Sequence, residues 1–144
     1  MRDGDINYLV LNAANGDFVC NDKSMDRLEK ILDSLEQNVP EGPACLVTIS
    51  TGDRKFSTGF DLAYWKADLA NAMSTIARLQ LILPRFITLP YPTMCVINGH
   101  AFAGGLLMAL AHDFRIMNAS PKPKLCLSEI NLGLALPPSY AALV

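Results

Sequence analysis

Three short stretches of this sequence carry residue types that can act chemically on a bound molecule. The first, AGGLL at residues 103–107, places two adjacent glycines where an apolar helix is predicted to begin. The first N–H groups of a helix have no internal acceptor, and the helix dipole favours negative charge beside them. Glycine also lets a ligand approach the bare backbone. The turn is therefore a candidate oxyanion site, although close packing of a helix on a strand would equally require glycine.

The second stretch, FSTGFDL at residues 56–62, also places a glycine in a loop that follows a buried strand. If both strands belong to one parallel sheet, the two loops meet at the edge where open α/β sheets bind ligands. One N–H from each loop would then converge on a single oxygen, and each such donor is worth about 2.7–4 kcal/mol to a reaction. The alternative interpretation is a pair of ordinary connecting loops.

The third stretch, LSEINLGLALPP at residues 127–138, places Glu129 after an apolar strand. A carboxylate in apolar surroundings is suited to act as a general base. The alternative is a surface glutamate on a turn. Ser57 and Ser128 have no histidine partner that would complete a nucleophilic triad, and no spacing of His, Asp and Glu matches a metal motif. We therefore expect no metal.

Alternating strands and helices are predicted to position these stretches. Apolar runs predict strands at residues 6–11, 44–50, 93–98, 114–117 and 125–127. Residues 51–65 read as a long loop and residues 128–139 as a turn-rich segment, while Asn15 and Gly16 predict a tight turn. This order predicts βαβ units and a mostly parallel sheet.

Two helices are predicted between the strands. Leucines and isoleucines at residues 28, 31, 32 and 35 form one helical stripe, capped by Asp22, Ser24 or Asp26 and ending at Asn38. The second helix covers roughly residues 69–87, and Pro84 should kink or split it. A third, short helix is expected at residues 104–112, after the two glycines.

The composition excludes several classes of function. The chain has 144 residues, 51% of them apolar, with a formal net charge of −2. We expect no nucleic-acid partner, since that would require a basic face, and no membrane span, since no apolar run is long enough. The four cysteines form no CxxC or metal pattern, which favours buried thiols in a reducing compartment, and the N-terminus does not resemble a signal peptide. The protein is not expected to be secreted.

Taken in order, the three stretches resemble the crotonase superfamily, the enoyl-CoA hydratase/isomerase family. The resemblance implies a crotonase-like α/β fold and an acyl-CoA thioester substrate, with coenzyme A as part of the substrate and no separate cofactor. It implies that the backbone N–H groups of Phe60 and Gly104 stabilise an enolate oxygen. Substrate-binding positions carried over from the family are Ser57, Gly59, Asp61, Leu62, Gly105 and Leu107. Tyr64 and Trp65 are expected to be packing or lid residues, whereas His100, His112 and Asp113 are expected to be structural.

The resemblance also indicates which reaction of the family this chain would catalyse. Hydratases of this family use two glutamates, and one of these positions is Leu107 here, whereas the other matches Glu129. A single glutamate resembles the Δ3,Δ2-enoyl-CoA isomerases of fatty-acid β-oxidation, which need one base and no activated water. The alternatives are another crotonase-type enzyme, such as a hydratase or hydrolase, or a truncated fragment without activity.

Family members are longer than this chain. We therefore expect residues 1–144 to be a single crotonase-like domain, the N-terminal core of a longer family domain whose C-terminal helices are missing. The resemblance further implies a homotrimer or hexamer and a peroxisomal or cytoplasmic location.

Overall fold

The computed structural model describes residues 2–12, 17–52, 54–119, 123–131, 133 and 135–144. Its strands are β1 (Arg2–Asp3), β2 (Ile6–Leu11), β3 (Val19–Cys20), β4 (Cys45–Ser50), β5 (Lys55–Ser57), β6 (Gly59–Phe60), β7 (Thr93–Ile97), β8 (His100–Phe102), β9 (Phe114–Met117) and β10 (Leu125–Cys126). Its helices are α1 (Asp22–Gln37), α2 (Leu62–Ala67), α3 (Leu69–Ile87), α4 (Gly104–Leu110), α5 (Ser128–Asn131) and α6 (Pro138–Ala141).

The main sheet has the order β1-β2-β4-β7-β9. Strands β2, β4, β7 and β9 are parallel, whereas the short β1 pairs antiparallel with β2. Two smaller sheets, β10-β8-β5 and β3-β6, are also parallel. Helices α1 and α3 connect parallel strands, so the predicted mixed α/β fold with βαβ units and a mostly parallel sheet is confirmed.

The N-cap of helix α1 lies one residue before Asp22, the first of the three predicted cap residues. Asn21 is the N-cap: its Oδ1 accepts from the Ser24 N–H at 3.1 Å, and Ser24 Oγ accepts from the Asn21 N–H at 2.9 Å. This reciprocal capping box satisfies two N–H groups that a helix start leaves unpaired. Ser24 thus belongs to the cap without being its first residue, and a cap at Asp22 or Asp26 was wrong.

Helix α3 has the predicted bounds but runs unbroken through Pro84. Proline removes one N–H donor, and here it stands in the last turn, so a single intrahelical bond is lost. The carbonyl oxygen of Pro84 accepts from both the N–H and the hydroxyl of Thr88, each at 3.0 Å, which closes the helix. The prediction of a split was therefore wrong.

Two segments were predicted with too little regular structure. Residues 51–65, predicted as a long loop, contain β5, β6 and most of α2, and the turn-rich segment contains α5 and part of α6. Each of these elements is too short for a period of hydrophobic residues to reveal it. The Asn15–Gly16 turn lies outside the described residues.

The four cysteines are free thiols. Cys20 and Cys95 are fully buried, and burial raises the pKa of each thiol to about 12, so both stay protonated at neutral pH. Cys45 and Cys126 are half-buried. Within the described residues, no helix combines the length and apolarity that crossing a bilayer requires.

Candidate functional site

A cavity of about 510 Å³ opens where the small sheets meet α2, α3, α5 and α6. Its lining is mainly apolar and aromatic, with few polar groups. The lining residues are Val19, Thr58, Phe60, Asp61, Leu62, Trp65, Ile76, Phe102, Ala103, Ser128, Glu129, Ala135, Pro137 and Tyr140. Such a concave, apolar pocket with a few polar side chains is the usual form of a small-molecule site.

The first of two loops at this cavity comprises residues 58–61. Gly59 has φ +78°, a left-handed conformation that side chains disfavour. The Asp61 N–H donates to the Cys20 carbonyl oxygen at 3.0 Å across the β3–β6 pair. Successive N–H groups of a strand point to opposite sides, so the Phe60 N–H points away from β3. A backbone donor is thus left free of that ladder at the cavity.

The second loop comprises residues 102–105 and leads into α4. Ala103 has φ +47°, a strained conformation for a residue with a side chain that costs about 1–3 kcal/mol. Its carbonyl oxygen accepts the first helical bonds, from Leu106 and Leu107 at 2.9 and 3.1 Å. The Gly104 N–H lies in the chain before the first N–H groups that make intrahelical bonds, so it has no acceptor within the helix.

The two loops touch each other through Gly59. A methyl group at this position would lie 2.7 Å from the Gly104 nitrogen and 2.8 Å from the Phe102 carbonyl oxygen. Contacts this short leave no room for a side chain. The backbone of the first loop therefore packs directly against the start of α4, which brings the predicted donors Phe60 and Gly104 side by side.

Glu129 lies on α5 and lines the same cavity. Both of its carboxylate oxygens are buried, and neither has a hydrogen-bond partner among the described residues. Buried polar groups in proteins are almost always paired, so an unpaired carboxylate facing a cavity marks a functional position. Its freedom from partners leaves both oxygens available to a ligand.

The cavity contains a second carboxylate, that of Asp61, but its oxygens are occupied. Oδ1 accepts from the Tyr64 N–H at 3.0 Å and so caps α2, and Oδ2 accepts from Asn21 Nδ2 at 3.1 Å. Leu107, where a hydratase would place its other glutamate, is fully buried and does not line the cavity. Glu129 is therefore the cavity's one carboxylate without partners among the described residues.

The structure separates the predicted substrate-binding residues into two groups. Asp61 and Leu62 line the cavity, and Gly59 lies between the lining residues Thr58 and Phe60 without lining it itself. Ser57, Gly105 and Leu107 are buried beneath the two loops and do not line it. A methyl group on Gly105 would lie 2.6 Å from Ser57 Cβ, so this second glycine is required by packing within the fold.

Aromatic residues form one wall of the cavity. The rings of Phe60 and Trp65 lie 4.6 Å apart, and Trp65 Nε1 donates to Thr75 Oγ1 at 2.7 Å. Tyr140 on α6 donates its hydroxyl to the Ile76 carbonyl oxygen at 2.9 Å. Burial, and secondarily Cys20 and Glu129, raises the pKa of Tyr140 far above its ordinary value, so the phenol stays neutral.

Sequence reasoning missed several lining residues, among them Val19, Ile76, Phe102 and Tyr140. Ile76 is one of the apolar residues in the helical pattern of α3, and a helical period does not distinguish a cavity wall from a packed core. Tyr140 lies close in the chain to the lining residues Ala135 and Pro137, but no sequence pattern marked its side chain as part of a cavity.

Of the residues expected to be structural, His100 and His112 both bond within the fold. His100 Nδ1 accepts from the Lys124 N–H at 2.8 Å. His112 donates from Nδ1 to the Met108 carbonyl oxygen at 2.8 Å, and its Nε2 lies 2.7 Å from Thr48 Oγ1. Burial lowers the pKa of His112 to about 4, so the imidazole is neutral at neutral pH.

Asp113 accepts from the N–H and the hydroxyl of Thr93, at 2.8 and 2.9 Å. These two hydrogen bonds lower the pKa of its carboxyl group. Neither His112 nor Asp113 reaches the cavity. Among the described residues, no group of three His, Cys, Asp or Glu side chains is placed to hold a metal ion.

An apolar cavity, two adjoining backbone donors and one unpaired carboxylate define a crotonase-type α/β protein, and comparisons with known proteins agree. A family model described as enoyl-CoA hydratase/isomerase matches residues 13–143. This chain belongs to the enoyl-CoA hydratase/isomerase family.

Two curated relatives come from Arabidopsis thaliana. Enoyl-CoA delta isomerase 3 is 36% identical over 124 residues, covering 83% of this chain and 52% of the relative. Enoyl-CoA delta isomerase 2, peroxisomal, is 35% identical over 127 residues with the same coverage. A solved enoyl-CoA hydratase from Shewanella pealeana has the same fold, with a TM-score of 0.84 at 24% identity, over 100% of this chain and 54% of that one. The chain thus spans about half of the length of these relatives.

Proposed function

We propose that the protein shifts the double bond of a 3-enoyl-CoA to the trans-2 position. The observation that carries this proposal is the unpaired, buried carboxylate of Glu129 in an apolar cavity. Both oxygens of the other carboxylate there, that of Asp61, already accept hydrogen bonds. Moving a double bond requires one group that removes and returns a proton. It requires no activated water, and therefore no second free carboxylate.

The reaction proceeds in two proton transfers. Glu129 takes the proton from C2 of the substrate, and the electron pair left behind delocalises onto the thioester oxygen as a dienolate. The N–H groups of Phe60 and Gly104 donate to that oxygen while it carries charge. Glu129 then returns the proton to C4, the thioester carbonyl re-forms, and the double bond lies between C2 and C3. Atoms and charge balance without a further reactant.

The cavity wall suits an acyl chain. Trp65, Phe60 and Ile76 present apolar surface, and each methylene that leaves water contributes about 0.8 kcal/mol to binding. One of the Arabidopsis relatives is named as a peroxisomal enzyme, which supports a peroxisomal location as part of the proposal. A role in fatty-acid β-oxidation follows from the proposed reaction. Two expectations stay predictions: assembly as a homotrimer or hexamer, and independence from any cofactor. Light scattering on the purified chain would measure the oligomeric state.

The test is Glu129→Gln, which keeps the shape of the side chain and removes the base. Isomerisation of 3-hexenoyl-CoA, followed in a coupled spectrophotometric assay, should fall by about 10²–10⁴-fold. The matched control is Glu41→Gln, because Glu41 is exposed and does not line the cavity. The activity of this variant should equal that of the unmodified chain. Near-normal turnover by the Glu129 variant would refute the assignment.

A parallel assay with 2-hexenoyl-CoA separates this function from hydration. Consumption of the 3-enoyl substrate without hydration of the 2-enoyl substrate is the expected result. Hydration at a comparable rate would show a hydratase, and turnover of neither substrate by the folded protein would contradict the proposed function.

A further inference from the structure

Ser57 makes contacts with both loops of the site, although it does not line the cavity. Its side chain is fully buried at the end of β5. Its hydroxyl donates to the Phe18 carbonyl oxygen at 2.9 Å and accepts from the Gly59 N–H at 3.1 Å. The hydroxyl thus ties the turn that precedes Phe60 to the segment that leads into β3.

The same side chain is wedged against the second loop. A methyl group on Gly105 would lie 2.6 Å from Ser57 Cβ and 2.7 Å from Ser57 Oγ, so the backbone of α4 rests directly on the serine. Any larger residue at 57 would push α4 away, and a residue without a hydroxyl would free the Gly59 peptide. Ser57 is therefore in contact with Gly59, the residue before Phe60, and with Gly105, the residue after Gly104.

The peptide plane that carries the Phe60 N–H lies between two anchored groups. On one side the Gly59 N–H bonds to Ser57 Oγ, and on the other the Asp61 N–H bonds to the Cys20 carbonyl oxygen at 3.0 Å. Gly59 at φ +78° is the residue that can rotate if one anchor is lost, since glycine has no side chain to restrict it. Loss of the hydroxyl would let the Phe60 N–H swing away from the Gly104 N–H.

From these contacts we infer that Ser57 is a positioning residue, whose hydroxyl and small volume set the spacing and direction of the Phe60 and Gly104 backbone donors. The inference rests on the proposed function, in which those donors bind the thioester oxygen. Donors aimed at a developing charge act mainly on the transition state, because the ground-state carbonyl carries less charge. Ser57 should therefore influence kcat far more than KM.

The test compares Ser57→Ala with Ser50→Ala. Ser50 is a close match: like Ser57 it is buried and does not line the cavity, and its hydroxyl accepts from the Gly52 N–H at 3.2 Å and donates to the Lys55 carbonyl oxygen. Neither of these partners belongs to the two loops of the site. With 3-hexenoyl-CoA, Ser57→Ala should lower kcat about 10- to 100-fold with KM changed less than about twofold. Ser50→Ala should leave both constants within about twofold.

A spectroscopic measurement reports on the donors without turnover. The infrared carbonyl stretch of bound hexanoyl-CoA, which has no double bond to move, should lie at lower frequency than that of the free thioester in the unmodified chain and in Ser50→Ala. Ser57→Ala should lose most of this shift. Equal shifts and equal kcat values in the two variants would overturn the inference.

The outcomes also separate this inference from the proposed function. An unmodified chain that fails to isomerise 3-hexenoyl-CoA would refute the proposed function, whereas an active chain with an unaffected Ser57→Ala variant would refute the role of Ser57 alone. If Ser57→Ala does not fold, Ser57→Cys replaces it, since a thiol is a weaker donor and acceptor. An unchanged kcat and carbonyl shift in that variant would equally overturn the role.

Discussion

Gly59 is the residue through which the two loops of the site touch, and replacing it with alanine tests that contact. Two costs arise from the structure. Its φ of +78° is unfavourable for any residue with Cβ, by about 1–2 kcal/mol. The new methyl group would also lie 2.7 Å from the Gly104 nitrogen and 2.8 Å from the Phe102 carbonyl oxygen, and backbone atoms in a packed core move only at a cost of about 1–3 kcal/mol. The free energy of unfolding should therefore fall by about 2–5 kcal/mol.

Two other glycines separate these costs. Gly4 has φ +56° but no atom within 4 Å of an added methyl group, so Gly4→Ala should show the conformational cost alone, about 1–2 kcal/mol. Gly42 has neither a positive φ nor a near neighbour, so Gly42→Ala should be neutral or slightly stabilising, by up to about 1 kcal/mol. The three variants form a series in which each structural cost is added in turn.

The assay is urea unfolding followed by the fluorescence of Trp65, the one tryptophan in the sequence. Its ring packs against Phe60, so it reports on the region under test. The expected order of unfolding midpoints is Gly42→Ala, then Gly4→Ala, then Gly59→Ala, from highest to lowest. If Gly59→Ala were no less stable than Gly4→Ala, the close approach of the two loops would be wrong.

The remaining predictions concern buried groups away from the reacting atoms. Because the folded pKa of His112 is about 4 and its ordinary value is 6.5, the unfolded chain binds a proton between these values that the folded chain does not. The free energy of unfolding should therefore fall by about 3 kcal/mol as the pH drops through this window and level off below it. In His112→Asn the free energy of unfolding should depend less on pH, and an equally steep dependence in that variant would contradict the assignment. Leu107→Glu buries a charge with no partner and should destabilise the fold by several kcal/mol, whereas Leu107→Met should cost less than about 1.5 kcal/mol in the same urea assay. Equal stability of the two variants would show that position 107 is not packed. Thr75→Val removes the acceptor of Trp65 Nε1 and should cost about 1–3 kcal/mol in thermal unfolding, with a shift in tryptophan emission; an unchanged spectrum would argue against that bond.

Much of the scaffold could be predicted from local patterns. The stripe of α1 and the length of α3 follow from the helical period, and the short, mainly apolar runs that became β2, β4 and β7 are of the length and composition that predict strands. Burial along these strands alternates, so one face is more deeply covered than the other. The cap at Asn21 and the continuity of α3 past Pro84 were mispredicted because both depend on hydrogen bonds to particular neighbours, which residue types alone do not specify.

For the site, the sequence alone determined which residue types were available: two glycine turns, one glutamate after a strand, and leucine where a second glutamate would be needed. The tertiary structure decided where each of them lies and which partners it has. It left Glu129 unpaired and facing the cavity while Asn21 and Tyr64 occupied Asp61, and it buried Ser57 and Gly105 beneath the loops. Partners such as Asn21 and Asp61 are 40 positions apart in the chain. Their meeting is set by how the sheets and helices pack, since a local sequence pattern carries no information on distant contacts.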